Sequence, residues 1–265
     1  MKSIKQLLEE KEIVVGLTLQ QVTAPWVAKV YADAGADFIF VENEHVFFNE
    51  ADLASFVLSS RLNGLPVVAK SPYVSKGAIA KMLDSGITGI QLPLTESAEQ
   101  IGMVVTYTKF PPIGNRTAGP GIGNSDYEPV DLSQWVKQAN EDTCVIAHIE
   151  SKTGLENIDE ILQVPHVDIM FIGMFDLTVS IGQPAKYNHP DVVAAIERLI
   201  GAAKEHEKVI GMWAPRFELA QPWIKKGVRF FEGMGDVGFL AKGAMNFVKS
   251  FPDHAPRIAQ GDGHI

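Results

Sequence analysis

Two acidic residues, Glu150 and Asp176, each follow an apolar segment within the stretch Cys144–Thr178. The order of apolar segment, helical pattern and second apolar segment predicts a strand, a helix and another strand. Neighbouring parallel strands place their carboxyl ends on one edge of a sheet, so we expect the two carboxylates to lie close together. Close carboxylates repel each other unless they share a proton or a cation. A divalent metal held by oxygen ligands is one interpretation, and a loop cap or an ion pair with a lysine is the other.

Other polar side chains also fall at the ends of predicted strands. Such crowding on one edge is unusual for a hydrophobic core and indicates an active site. The residues concerned are Gln20, Glu42, Glu44, His45, Lys70, Gln91, His148, Glu150, Asp176, Trp213 and Glu232.

His45 follows the second predicted strand in the segment VENEH. An imidazole in this position could serve as a general base, and an ordinary surface histidine is the alternative. The flanking Glu42 and Glu44 form either part of the site or a solvated acidic pair. Asp84 ends the helix before the fourth strand, and spacing alone does not fix where it lies relative to the strand ends.

Lys70 ends the third predicted strand. A lysine there can bind a substrate carboxylate, or form a Schiff base if burial lowers its pKa. A lysine that faces solvent is the third interpretation.

The segment GNRTAGPGIGN contains Arg116 among four glycines. No strand-to-helix turn fits it and Pro120 interrupts it, so it does not match a dinucleotide-binding motif. Binding of an anion by Arg116 and a flexible or packing loop are both consistent with the pattern.

The elements that must position these residues alternate along the whole chain. Eight predicted strands start near residues 13, 37, 66, 88, 144, 168, 209 and 228, with helices between them. This alternation favours an α/β fold, a (β/α)8 TIM barrel, over an open doubly wound sheet. The longer intervals before residues 144 and 209 predict loop insertions. We expect one barrel domain over residues 1–252 and a polar, loose tail over residues 253–265.

The composition excludes several classes of protein. A net charge of −9 over 265 residues argues against nucleic acid or an anionic membrane as a partner. The single cysteine, Cys144, rules out a disulfide framework. The first residues lack the apolar core of a signal peptide, and no apolar run approaches the length of a membrane span. These features predict a cytoplasmic protein.

Six segments, in order, resemble the HpcH/HpaI aldolase/citrate lyase family. They are FVENEH, PVVAKSP, MLDSGITGIQLPLTESAEQ, FPPIGNRTAG, IESKTGLENIDEIL and FIGMFDLTVSIGQP. The resemblance covers roughly residues 10 to 250 and is closest to the metal-dependent pyruvate aldolases that act on 4-hydroxy-2-oxo acids. It implies a (β/α)8 barrel, usually hexameric as a trimer of dimers, with a C-terminal helix exchanged between subunits.

The resemblance also implies roles for single residues. Glu150 and Asp176 match the metal ligands, with Mg, Mn or Co as the divalent metal. His45 matches the catalytic histidine and Asp84 the aspartate that pairs with it. His148 faces the substrate, and the segment of Phe175 and Asp176 matches the part that binds the substrate carboxylate.

Several positions depart from the family pattern. Lys70 stands where the family usually has an arginine that stabilises the enolate oxygen, and a lysine lacks the bidentate geometry of arginine. Glu42 replaces an aspartate and His148 a glutamine, while Met174 and Phe175 replace a Pro-Ala pair. We also expect Trp213 and Glu232 to narrow and acidify the pocket.

These observations predict a class II aldolase, a carbon–carbon lyase that cleaves a 4-hydroxy-2-oxo acid to pyruvate, or a related 2-oxo acid, and an aldehyde through an enolate. Lys70 would act in catalysis and, together with Trp213, in substrate binding. The alternatives are a lyase acting on an acyl-CoA ester, a Schiff-base aldolase that uses Lys70, and a non-catalytic protein that binds oxo acids. The expected partners are these small molecules and further copies of the chain.

Overall fold

Eight parallel strands close into a barrel in which each strand pairs with the next and β8 pairs with β1. The structure is a computed structural model that describes residues 1–254. It confirms the predicted fold, with eight strands near the predicted starting points. The strands are β1 Val14–Leu19, β2 Phe38–Val41, β3 Val67–Lys70, β4 Gly89–Leu92, β5 Cys144–Ile149, β6 Ile169–Ile172, β7 Val209–Trp213 and β8 Val228–Gly235.

Helices surround the barrel and connect its strands. They are α1 Ile4–Glu10, α2 Trp26–Asp33, α3 Glu50–Leu62, α4 Lys76–Asp84, α5 Ala98–Thr108, α6 Leu132–Asp142, α7 Lys152–Glu156, α8 Ile158–Leu162, α9 Met174–Ser180, α10 Pro190–Glu205, α11 Phe217–Ile224 and α12 Asp236–Lys249, with a 3-10 turn at Gly123–Ser125. The two long intervals contain the expected insertions, since α6 lies before β5 and α9 lies before α10.

The helix expected after Glu150 is divided into α7 and α8. Asn157 separates them with φ −95° and ψ 12°, which is outside the helical range. Its side-chain amide donates a hydrogen bond of 2.8 Å to the carbonyl oxygen of Glu96. This contact with another loop holds the break in place.

Successive residues of each strand face alternately into and out of the barrel. In β2, Phe38 and Phe40 belong to the inner cluster, whereas Ile39 and Val41 pack against the surrounding helices. The ring of Phe38 stacks on that of Phe230, with centroids 4.5 Å apart. The barrel is therefore filled with side chains and is not a channel.

The interior changes from apolar to polar along the strands. Helix α1 covers the amino end, where Ile4, Leu7 and Leu8 join the inner cluster. At the carboxyl end the inward positions carry Lys70, Gln91, His148 and Glu232, all buried. The strands thus place a buried polar layer beneath the carboxyl-terminal opening of the barrel.

Helix α12 leaves much of its apolar surface uncovered. Leu240 is 71% exposed and Phe247 is 67% exposed. The expected tail lies, from residue 255 onward, outside the described residues. Among residues 1–254, no helix is both long enough and apolar enough to cross a bilayer.

Candidate active site

A cavity of about 510 Å³ opens at the carboxyl end of the barrel. Most of the polar and aromatic residues predicted from the strand ends or from the family resemblance contribute to its wall. They are Gln20, Glu42, His45, Lys70, His148, Glu150, Phe175, Asp176, Trp213 and Glu232.

Glu150 is buried at the end of β5. The backbone N–H of Leu94 donates a hydrogen bond of 2.7 Å to Oε1, and Oε2 lies 3.1 Å from Nε2 of His148. Burial raises the pKa of Glu150 to about 7, although the hydrogen bond from Leu94 and the charge of Lys70 oppose the shift. The negative charges of Glu44 and Asp176 raise the pKa further. A cation beside Oε2 would relieve this destabilised carboxylate.

Gly173, the residue after β6, makes this arrangement sterically feasible. A Cβ atom at this position would lie 2.3 Å from Nε2 of His148 and 2.6 Å from Oε2 of Glu150. The backbone therefore approaches both side chains more closely than any other residue type allows. Asp176 lies three residues further on, in the first turn of α9.

His148 is a buried, neutral imidazole. Burial and the nearby charge of Lys70 lower its pKa well below the ordinary value. Its Nδ1 lies 3.0 Å from the side-chain amide nitrogen of Gln91, which can only donate, so Nδ1 accepts and the ring proton is assigned to Nε2. Although Nε2 lies 3.1 Å from Glu150, the two groups are not aligned as a hydrogen bond.

Lys70 forms ion pairs with two carboxylates at the end of β2. Its Nζ lies 3.1 Å from Glu42 and 2.9 Å from Glu44. Burial alone would lower the pKa of Lys70, but the charges of Glu42, Glu44 and Glu150 outweigh it and the net pKa is raised. A protonated amine is not a nucleophile, so these contacts argue against a Schiff base at Lys70.

Glu42, Glu44 and His45 form a second group of potential metal ligands. Their ligand atoms lie within 4.8 Å of one another. The imidazole of His45 is 66% exposed, and Nε2 lies 3.6 Å from Glu44. Lys70 contacts both carboxylates and compensates one of their two negative charges, so this group has less need of a metal than the pair of Glu150 and Asp176.

Asp84 lies away from the cavity. Helix α4 returns from the carboxyl end of β3 toward the amino end of β4, and Asp84 is its last residue. Its carboxylate accepts hydrogen bonds of 2.9 Å from both Arg116 and Asn124. The structure does not bring Asp84 together with His45, and the catalytic role implied for Asp84 stays a prediction.

The glycine-rich loop packs through Arg116. The guanidinium pairs with Asp84 and lies 4.7 Å from the ring centroid of Phe110. Since Arg116 is buried in these contacts, they favour the packing interpretation of this loop over anion binding.

An aromatic wall borders the cavity beside Asp176. The ring of Phe175 lies 4.9 Å from that of Trp213 and 6.0 Å from that of Tyr187. Next to this wall, after β8, Asp236 accepts hydrogen bonds of 2.9 Å from the backbone N–H groups of Gln20 and Gln21. The opening of the cavity is therefore bordered by an aromatic wall and by the segment after β1, which Asp236 holds in place.

Three contributors to the site were missed by sequence reasoning. Gly173 and Asp236 follow β6 and β8 closely, so a search for small and acidic residues just after strands could have found them. The contribution of Leu94 could not be predicted from its residue type, because it is made by the backbone N–H group. The residue has an unusual backbone φ of 44°.

The residues present fit a hard divalent cation at Glu150 and Asp176. Both offer carboxylate oxygens, which such ions prefer. Glu150 keeps Oε2 available because Leu94 occupies Oε1, and its raised pKa reflects a charge without sufficient compensation. Gly173 leaves the space beside that oxygen that any side chain would fill.

Comparisons with known proteins identify relatives of this chain. A family model described as HpcH/HpaI aldolase/citrate lyase matches residues 20–242. A 2-keto-3-deoxy-L-rhamnonate aldolase of Escherichia coli K12 is 32% identical over 231 residues, which cover 85% of this chain and 84% of the relative.

Solved structures agree with this assignment. An HpcH/HpaI aldolase from Desulfitobacterium hafniense DCB-2 is 29% identical with a TM-score of 0.90, covering 97% of this chain and all of that one. The citrate synthase SbnG is 26% identical with a TM-score of 0.84, covering 94% and 96% of the two chains. The resemblance predicted from six sequence segments is confirmed: this chain belongs to the HpcH/HpaI aldolase/citrate lyase family and is a carbon–carbon lyase.

Proposed function

We propose that this protein is a metal-dependent aldolase that cleaves a 4-hydroxy-2-oxo acid to pyruvate, or a closely related 2-oxo acid, and an aldehyde. The observation that carries the proposal is the buried Glu150 carboxylate, whose pKa is raised to about 7 and whose Oε2 faces the space left by Gly173. The E. coli relative is named for the cleavage of a 2-keto-3-deoxy sugar acid, which supports the same reaction class.

Glu150 and Asp176 would hold the metal. Such an ion, when bound, supplies Lewis-acid chemistry toward the carboxylate and 2-oxo group of the substrate. Mg, Mn and Co all accept carboxylate ligands and would all suit this site. The backbone at Phe175 and Asp176 would bind the substrate carboxylate.

Cleavage requires a proton to leave the 4-hydroxyl group. His45, which lines the cavity and is largely exposed to solvent, would accept this proton. The bond between C3 and C4 then breaks, C4 leaves as the aldehyde carbonyl carbon, and the electron pair passes to the enolate of the 2-oxo acid. Protonation of that enolate at C3 completes the formation of pyruvate.

Lys70 would stabilise the negative charge that develops on the enolate oxygen. It is buried, positively charged and part of the cavity wall. Its ion pairs with Glu42 and Glu44 fix the position of the ammonium group before substrate arrives.

Further copies of the chain would bind at α12. The exposed side chains of Leu240 and Phe247 support this proposal, because a helix rarely leaves such residues uncovered. We propose the hexameric trimer of dimers, with α12 exchanged between subunits. Sedimentation velocity on the wild type and on Leu240→Lys should show a hexamer that dissociates in the variant, and a wild-type monomer would contradict the proposal.

A screen of retro-aldol activity tests the reaction. Purified protein is treated with EDTA, and pyruvate release from 4-hydroxy-2-oxo acids of different length and charge is measured before and after Mg, Mn or Co is added. We expect release only with metal. Activity that persists in EDTA would contradict metal dependence, pyruvate binding without turnover would favour the non-catalytic alternative, and turnover of acyl-CoA esters alone would favour the other lyase.

A further inference from the structure

A buried polar group lies at the base of the cavity and has no role in the reaction proposed above. It consists of Gln91 at the end of β4, His148 at the end of β5 and Glu232 in β8. The exposed fractions of these residues are 0%, 5% and 2%. The inward direction of Glu232 follows from strand alternation, because Phe230 lies in the inner cluster and Phe231 in the outer one.

Gln91 joins the other two side chains. Its amide nitrogen lies 3.0 Å from Nδ1 of His148, and its side chain lies near the carboxyl group of Glu232, where it partly opposes the rise in the pKa of that group. With the amide nitrogen used in this way, the carbonyl oxygen of Gln91 faces no donor among the described residues. Gln91 therefore links the group together, but its carbonyl oxygen still lacks a hydrogen bond.

One oxygen of Glu232 is unpaired within residues 1–254, although the side chain is almost completely buried. A buried polar atom without a hydrogen bond is costly and uncommon in native proteins. Glu232 lines the cavity, so a molecule bound there lies next to its carboxyl group, although the unpaired oxygen itself has almost no accessible surface. The unpaired oxygen indicates a ligand group that completes the hydrogen bonding.

The chemistry of the surroundings limits which ligand group fits. Burial raises the pKa of Glu232 well above its ordinary value, and the charges of Glu42 and Glu150 add to this effect while Lys70 opposes it. A neutral carboxylic acid can both donate and accept a hydrogen bond, as a hydroxyl group requires.

A second carboxylate on the substrate would bind poorly at the base of the cavity. Among the described residues that line the cavity, Lys70 is the only lysine or arginine, and it is already paired with Glu42 and Glu44. The adjoining wall is apolar, with Phe40 and Phe171. The base of the cavity thus offers hydrogen bonding without an available positive charge.

We infer that Glu232 determines substrate specificity by hydrogen-bonding a hydroxyl group of the substrate, so that the enzyme favours hydroxylated 2-oxo acids with one carboxylate over dicarboxylic ones. The inference rests on the proposed function for the identity of the 2-oxo acid. It assigns Glu232 to recognition of the substrate and not to the bond cleavage itself.

Calorimetric binding of three acids that lack a 4-hydroxyl group tests this inference, because they cannot undergo retro-aldol cleavage. The acids are 5-hydroxy-2-oxopentanoate, its analogue 2-oxopentanoate without the distal hydroxyl, and 2-oxoglutarate with a second carboxylate. In the presence of Mg or Mn, the wild type should bind the hydroxylated acid about tenfold or more tightly than either of the others.

Two variants complete the experiment. Glu232→Leu removes the hydrogen bond and should bring the affinities for the hydroxylated acid and 2-oxopentanoate within about threefold of each other. Glu232→Gln keeps a neutral group that donates and accepts, and should retain the preference. Circular dichroism checks that both variants fold, and Glu232→Gln keeps the test informative if the leucine variant does not.

Each outcome separates this inference from the proposed function. Equal binding of the hydroxylated acid and 2-oxopentanoate by the wild type would overturn the inference, as would an unchanged preference in Glu232→Leu. A preference that depends on Glu232 in a protein without retro-aldol activity would support the inference and contradict the proposed function. Failure to bind any of the three acids, or binding of 2-oxoglutarate as tight as that of the hydroxylated acid, would overturn the inference, whereas the proposed function is decided separately by the retro-aldol screen.

Discussion

The ammonium group of Lys70 lies 2.9 Å from the carboxylate of Glu44, so a residue of β3 is tied to the segment that follows β2. We propose that this contact lets Lys70 take the place of the arginine that the family resemblance leads us to expect at this position. The two carboxylates of Glu42 and Glu44 hold the single charge in place. An arginine is oriented by its planar guanidinium group, whereas the ammonium group of Lys70 would be oriented by its two carboxylate partners.

Replacement of Lys70 should reduce the retro-aldol rate more than substrate binding. We expect Lys70→Met to lower kcat by about 10² to 10³, because the charge that opposes the developing enolate is lost. Lys70→Arg should retain most of the activity. Steady-state kinetics with Lys81→Met as a control measures this, since Lys81 pairs with Glu50 on the exposed surface. A similar loss in both methionine variants would contradict a specific role for Lys70.

The raised pKa of Glu150 predicts how the stability of the metal-free protein depends on pH. The folded protein holds this proton up to about pH 7, whereas the ordinary carboxyl value is 4.5. The contribution of Glu150 to stability is therefore fully present below pH 4.5 and is lost as the pH rises through 7. The loss is on the order of 3 kcal/mol in the free energy of unfolding.

Glu150→Gln should remove this part of the pH dependence. Urea unfolding in EDTA, from about pH 5 to about pH 8, should show a smaller decline for the variant than for the wild type. Glu160→Gln on α8 removes the same charge from an exposed position and should behave like the wild type. The Glu150 assignment fails if all three proteins lose stability in parallel.

Gly173 should not tolerate a side chain. In Gly173→Ala the new methyl group would meet His148 and Glu150 at less than 3 Å, so one of them must move. We expect loss of activity and weaker metal binding. The control is Gly201→Ala in α10, where no atom lies within 4 Å of the added Cβ. That variant should keep its activity and gain about 0.5–1 kcal/mol in stability. Full activity in Gly173→Ala would contradict the close packing.

The barrel and most of its polar layer were predictable because both depend on local patterns. Alternation in strands such as Phe38–Val41 sets which side chains face inward, and the carboxyl-terminal halves of the strands carry Lys70, His148 and Glu232. The polar layer could therefore be predicted from the residues at which each apolar segment ends.

Contacts made by loops and helix ends were not predictable in this way. The position of Asp84 depends on the direction of α4, and the partner of Glu150 is a backbone N–H group contributed by the segment after β4. Likewise, Glu44 reaches Lys70 only because the segment after β2 folds back over the barrel. Such contacts join residues far apart in the chain through conformations that residue type does not specify.

The central claim is that Glu150 and Asp176 support metal-dependent formation of a pyruvate enolate. Exchange of the pyruvate methyl protons in D2O, followed by proton NMR, measures this step without knowledge of the aldehyde. We predict exchange in the wild type with Mg or Mn, and its loss in EDTA, in Glu150→Gln and in Asp176→Asn, whereas Glu160→Gln should exchange normally. Exchange that continues at the wild-type rate in EDTA and in both site variants would contradict the account.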